Sequence, residues 1–395
     1  MWRGRFLLRC WSDLLKCGIP IYSWRSACRW PDVMTRRPVL EKDYQELLKR
    51  LICPITGSSK WSLKGTHKDG LLCSDQNSYY PIIGGIPRML PPDLLGPFLR
   101  EAYPSVLERW PELVVFTENT PDPERDVIDT LTAYSFQHVD MADSVALRDD
   151  WLATWNRFQP NLPPESFSGR TVLEVGSGEG RHACLVGEHA SLMVGLDLSR
   201  GVELAFQRDL NPNSYYVQGD LRRPPFKAHS FDALYSNGVL HHTPDPALSF
   251  RSVTGLVNSG GGVYVWVYGL AEMSWSYRMS HLAFLRPLTN RLPQSGQVGV
   301  ATGLTVALEL GLWGPTRILR RAGLEQIAEK IPYADAADKD WQYKIRRMFD
   351  RINPPVTHYI SKDELSEWFH NFDNTEIINA YGQGWSARGQ VRASS

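Results

Sequence analysis

Residues 171–181 read TVLEVGSGEGR. An apolar run of strand length enters a turn with three glycines, and RHACLVGEHA (181–190) follows with the character of a helix. What this turn can hold decides how the chain is read. A dinucleotide fingerprint needs G-x-G-x-x-G, but its third place is taken by Arg181, with the glycine one residue early at Gly180. A P-loop needs a lysine followed by Ser or Thr, and neither follows here. Glu174 closes the strand with a carboxylate, which repels a phosphate but accepts hydrogen bonds from an ammonium group or its water. The expected ligand carries positive charge at this loop and no phosphate.

The pattern repeats outward. LMVGLDLS (192–199), YYVQGDL (215–221), FDALYSNGVL (231–240) and GGVYVWVYG (261–269) read as further strands separated by helical sequence. Strands alternating with helices predict a parallel sheet covered on both faces, with ligands beyond the carboxyl ends of its strands. Asp197 ends the second strand, where a carboxylate can accept both ribose hydroxyls. Asp220 ends the third, within reach of an adenine amino group. A ribose, an adenine and a cationic amino-acid tail without phosphate add up to S-adenosylmethionine.

The ordered set VLEVGSGEGRH, VGLDLS, QGDLRRPPFKAHSFDALYSNGVLHHTPDP and GGVYVWVYG resembles the class I S-adenosylmethionine-dependent methyltransferases, of the type 11-like kind. The resemblance runs from Thr171 to Tyr268 and returns near the C-terminus. It implies a Rossmann-like, doubly wound, mostly parallel sheet of seven strands. It also implies that Glu174, Gly176, Ser177 and Gly178 contact the methionine end, Asp197 and Leu198 the ribose, Asp220 and Leu221 the adenine, with Asn237 beneath the sulfonium.

The rest of the chain divides around this core (166–270). Residues 1–38 carry eight Arg and Lys against two Asp, and are expected to be a disordered arm or a misassigned start. Residues 39–95 form a small β domain whose LICP, LLC and YPIIGGIPRML resemble the zinc-ribbon-like domain of methyltransferase activator subunits. Metal-binding members have paired cysteines at each corner; here Cys53 is followed by Thr56 and Cys73 by Gln76. Two thiolates fall short of four ligands, so no metal is expected, although His67 or Asp75 could add to Cys53 and Cys73. Residues 96–165 are a helical linker or lid, in which the resemblance places Tyr134 and Phe136 over the cofactor. Residues 271–356 are a helical cap insertion, and 357–395 complete the core. The run VGVATGLTVALELGLWG (298–314) holds Glu309 and three internal glycines and is read as falling short of a membrane span.

Forty-three basic and forty-three acidic residues cancel, which argues against a general polyanion binder. Six scattered cysteines are no disulfide framework and point to the cytoplasm. The fourth strand continues as Ser236-Asn237-Gly238-Val239, without the Asn/Asp-Pro-Pro-aromatic loop of many base-nitrogen methyltransferases; NPPV (353–356) is read as a turn. The expected function is therefore methyl transfer to a small or partly apolar molecule, on oxygen, nitrogen or carbon. Nucleic acid is not the expected partner, while a lipid-like substrate or peripheral membrane association stays open. The alternatives are an RNA methyltransferase, which a similar ribbon in an rRNA guanine methyltransferase family suggests, and a non-catalytic scaffold. If the acceptor must lose a proton, His241 is the first candidate base and His358 the second, ahead of His242 and His182.

Overall fold

Two sheets organise the chain in the computed structural model, which describes residues 41–393 apart from 76, 119, 142–147, 270–282, 381 and 383. The expectation for the leader lies outside these residues. The first sheet is an antiparallel meander of β1 (Trp61–Gly65), β2 (Gly70–Ser74), β3 (Tyr79–Ile83) and β4 (Ile86–Pro87). The second has seven strands: β5 (Thr171–Val175), β6 (Leu192–Asp197), β7 (Ser214–Gln218), β8 (Phe231–Asn237), β9 (Val257–Tyr268), β10 (Phe372–Ala380) and β11 (Gly384–Val391). Their order is β10-β11-β9-β8-β5-β6-β7. Five neighbours, β9-β8-β5-β6-β7, are parallel, and β11 runs antiparallel to both β9 and β10. The expected mostly parallel, seven-stranded Rossmann-like sheet is present.

The strand sequences explain the layering. β7 is buried along its whole length and β5 at four of five positions, as continuous apolar runs covered on both faces should be. From β5 the chain builds β6 and β7 to one side, then crosses back to place β8 on the other. The strand order thus reverses beside β5, and the carboxyl ends of β5, β6, β7 and β8 open onto one crevice. The helix Lys362–Trp368 leads the chain back to the sheet, with Ser361 Oγ accepting the Glu364 N–H at 3.1 Å as their spacing predicts.

The small sheet extends the β7 edge. The Met89 N–H donates to the Gln218 carbonyl at 2.7 Å, and Ile52 N–H to the Pro225 carbonyl at 3.0 Å. Arg88, 1 % exposed, donates to Gln218 Oε1 at 3.0 Å and pairs with Glu203 at 3.2 Å, so its buried charge is compensated. Leu71, Leu72 and Tyr80 share one core with Val194, Leu196 and Val217. Cys53 sits buried with Sγ 3.4 Å from the Tyr80 hydroxyl, and Cys73 is buried on β2. No cluster of three metal-ligating side chains is found among the described residues.

The described part of the insertion is helical, chiefly Gln294–Leu308 and Trp341–Ile352. The first continues through a π-helical turn to Arg321, and these 28 residues are long and apolar enough to cross a membrane by length and composition. That corrects the sequence reading, which stopped at the local run and missed the helix continuing on either side of it. Its inward residues include Gln297, Ala301 and Thr305, while Val306, Leu310 and Ile318 are exposed.

Candidate cofactor and acceptor site

A cavity of about 610 Å³ opens at the carboxyl ends of the parallel strands. All nine residues expected at the cofactor line it: Glu174, Gly176, Ser177, Gly178, Asp197, Leu198, Asp220, Leu221 and Asn237. Further lining comes from the lid helices Arg125–Ser135 and Arg148–Phe158 and from the cap helix Trp341–Ile352.

The glycine loop needs its glycines. Gly176 has φ +76°, and a Cβ there would lie 2.1 Å from Val239 Cγ2. Gly178 has φ +49°, and its Cβ would press on the His138 ring at 3.1 Å. The bare backbone leaves the loop open to the cavity. Glu174 is 3 % exposed, and burial raises its carboxyl well above the usual range. Glu174 Oε2 and Ser177 Oγ are buried and meet no donor at full hydrogen-bond geometry among the described residues, with the Tyr235 hydroxyl and the Ala183 N–H the groups near enough to favour the Glu174 carboxylate. Acceptors of this kind suit a donor-bearing ligand such as the ammonium end of S-adenosylmethionine. These residues fit that group.

The other acids already carry protein bonds. Asp197 Oδ2 accepts from the Gly178 N–H at 2.7 Å, and Oδ1 accepts from the Ser199 N–H at 2.7 Å and its hydroxyl at 2.6 Å. Asp197 therefore ties the glycine loop to β6 and keeps only part of its accepting capacity for a ribose. Asp220 is held by Arg222, with Nη2 to Oδ2 at 2.9 Å and the Arg222 N–H to Oδ1 at 2.9 Å. Asn237 Oδ1 accepts from Gln159 at 2.6 Å, and its Nδ2 donates to His182 Nδ1 at 3.3 Å. Burial pushes His182 down to about 3, so this ring stays neutral.

Glu179 was not singled out from sequence, yet it anchors the loop to the cap. It is 2 % exposed and accepts from Arg346 Nη2 at 2.9 Å and Arg208 Nη1 at 2.6 Å, with Arg181 Nε at 3.1 Å. Burial opposes its ionisation, but Arg181, Arg346, His138 and Arg208 outweigh that and hold it well below the usual carboxylate range. Its only sequence signal was an acid inside a glycine loop.

The two expected base candidates do not reach the cavity. His241 is fully buried, and its Nδ1 accepts the Tyr268 N–H at 3.3 Å. His358 is half-buried, donates its N–H to the His241 carbonyl at 2.7 Å, and is not among the lining residues. Of the two histidines that follow the fourth strand, it is His242 that lines the cavity, as His138 and His182 also do, with Tyr134 and Tyr268 beside it at ring-centroid distances of 5.7 and 5.5 Å. The turn Leu240–His242 is 3₁₀-helical, so consecutive side chains point about 120° apart, and only one of the two histidines can face the ligand. Phe136 also falls short of the cavity; it packs on Phe349 of the cap, while Tyr134 is part of the lining.

A seven-stranded, mostly parallel sheet with this glycine loop at its reversal point and acids on the next strands defines the class I S-adenosylmethionine-dependent methyltransferase domain. The chain carries such a domain: the family model described as "Methyltransferase domain" matches residues 173–265. Among curated proteins, it is similar to a tRNA U34 carboxymethyltransferase from Pseudoalteromonas atlantica, 33 % identical over 119 residues, covering 29 % of this chain and 35 % of that protein. A tRNA U34 carboxymethyltransferase from Shewanella piezotolerans is 28 % identical over 205 residues, covering 43 % of this chain and 60 % of that one. The chain thus matches between about a third and three-fifths of the length of these relatives. A solved S-adenosylmethionine-dependent methyltransferase from Mesorhizobium loti is 28 % identical, covers 30 % of this chain and 53 % of its own, and has a TM-score of 0.28.

These relatives correct the expectation of a small or partly apolar acceptor with no nucleic-acid partner, since they are named for RNA modification. The physical reason for the error lies in the cavity. Net charge averages over the whole chain and hides how many charged side chains gather at this one cavity. The loop and strand ends contribute Glu174, Glu179, Asp197 and Asp220 against Arg181 and Arg222. The lid and cap contribute Arg157, Lys339, Arg346, Arg347 and Arg351 against Asp150, Asp335 and Asp350.

Proposed function

We propose that this protein is an S-adenosylmethionine-dependent methyltransferase whose acceptor is RNA, with transfer RNA the first acceptor to test. The observation that carries the reading is the charged lining of the cavity. It includes Arg157, Arg347 and Arg351 from the lid and cap, cations that suit an acceptor that brings phosphates with it. The sequence similarity to tRNA-modifying relatives supports the same acceptor class. Methyl transfer from a sulfonium is an in-line displacement in which positioning supplies much of the acceleration, and the lid and cap enclose the space where an acceptor atom would be held.

The test is transfer of label from methyl-labelled S-adenosylmethionine by the purified full chain to total transfer RNA, ribosomal RNA and RNA-free cell extract. Label should enter the transfer RNA fraction and be released by ribonuclease. Label confined to the RNA-free extract overturns the reading.

A further inference from the structure

We propose that His242, rather than His241, takes the proton from the acceptor through its Nε2, with the Val356 carbonyl fixing the ring in the form that can do so. The proposal rests on the methyl-transfer reading above and names a catalytic residue within it.

The tautomer follows from the bonds on the other edge of the ring. His242 Nδ1 lies 2.8 Å from the Val356 carbonyl oxygen. A carbonyl can only accept, so Nδ1 carries the hydrogen. The Thr357 hydroxyl, 3.3 Å from the same nitrogen, donates its own hydrogen to that carbonyl at 2.7 Å. Its oxygen is therefore also an acceptor towards Nδ1. Both contacts leave the lone pair of the neutral ring on Nε2, at the opposite edge of a side chain that lines the cavity. His241 has the opposite arrangement. Its Nδ1 lone pair is occupied by the Tyr268 N–H, and the ring is wholly buried.

The surroundings keep the ring neutral until the reaction charges it. Burial lowers its pKa to about 4, with Arg286 and His358 adding to the shift and the Val356 bond and Asp350 opposing it. Among the described residues, the rings of Tyr134, His241 and Tyr268 also lie against it. In the step, an acceptor lone pair forms the bond to the methyl carbon and the carbon–sulfur electron pair stays on sulfur. The acceptor's proton passes to Nε2. One positive charge leaves sulfur and one appears on the imidazole, so the cavity's net charge is unchanged and the acceptor atom ends neutral. Asp350, which lines the cavity, is placed to favour the charged ring.

The discriminating variant is His242→Asn, whose amide can still donate to Val356 but offers no basic nitrogen. Single-turnover transfer to transfer RNA at pH 7 should fall about 100-fold, the lower end of general-base contributions, with the Kd for S-adenosylhomocysteine within about two-fold of the parent. Between pH 7 and 9 the variant's rate should rise about tenfold per pH unit, because the acceptor must ionise unaided, while the parent stays flat. A variant within about three-fold of the parent, or one with a flat profile, overturns the proposal. A second measurement needs no acceptor: nitrogen NMR of histidine-labelled protein bound to S-adenosylhomocysteine should show His242 protonated on Nδ1 and bare on Nε2 at pH 7. The reverse tautomer, or a doubly protonated ring, overturns the proposal even if RNA is methylated. The expected tautomer in a protein that labels no RNA supports the ring assignment and places the failure in the RNA reading.

Discussion

Replacing Glu179 by Gln should destabilise the fold by about 3 kcal/mol, the lower end of what removing one partner of a buried ion pair costs. The carboxylate meets three guanidinium groups, from Arg346, Arg208 and Arg181. They do not lose equally. The Arg208 and Arg181 side chains are 16 % and 41 % exposed and can turn towards water, but Arg346 is 8 % exposed and also meets the His138 ring at 3.4 Å. The cost therefore falls mainly on Arg346, the guanidinium least able to turn towards water. Urea unfolding at pH 7 should show a lower midpoint at unchanged slope. The double variant Glu179→Gln/Arg346→Met should recover at least half of the loss, because the buried charge that faced the lost carboxylate is gone. The pH dependence has a fixed sign. Glu179 ionises more easily in the folded state, so its contribution is complete above the unfolded carboxyl pKa of about 4.3 and is lost as pH falls through the depressed folded value. Below about pH 4.3 the gap between parent and variant should narrow. A midpoint shift worth less than about 1 kcal/mol, or a double variant no more stable than the single one, would refute the reasoning.

Asp197→Ala should weaken S-adenosylhomocysteine binding by about 10- to 100-fold, since charge-assisted hydrogen bonds contribute about 1.5–3 kcal/mol and the Gly178 N–H loses its anchor as well; unchanged affinity in calorimetry removes this acid from the site. Gly176→Ala should abolish detectable binding, because the new methyl group meets Val239 at a positive φ. Adding Val239→Ala should restore part of the affinity by clearing the contact, and calorimetry showing full binding by the single variant would refute the steric account.

The sequence by itself determined the class of fold and the cofactor wall. In a parallel sheet, residues at the carboxyl ends of successive strands converge, so the strand–glycine loop–helix of 171–187 and the acids Asp197 and Asp220 could be placed before any coordinate was known. The lid and cap were legible as helical sequence, but their charge was not legible as lining of the cavity. Arg346 meets Glu179 across 167 residues, and Val356 meets His242 across 114. The choice between His241 and His242 shows the limit most clearly. Both follow the fourth strand and both are histidines, and only the turn after β8 settles which faces the ligand and which lone pair the backbone consumes. A strand's direction is a local property, written in its own residues. The direction of one side chain, its tautomer and the charges it meets depend on groups brought together from far along the chain, and those only the tertiary structure decided.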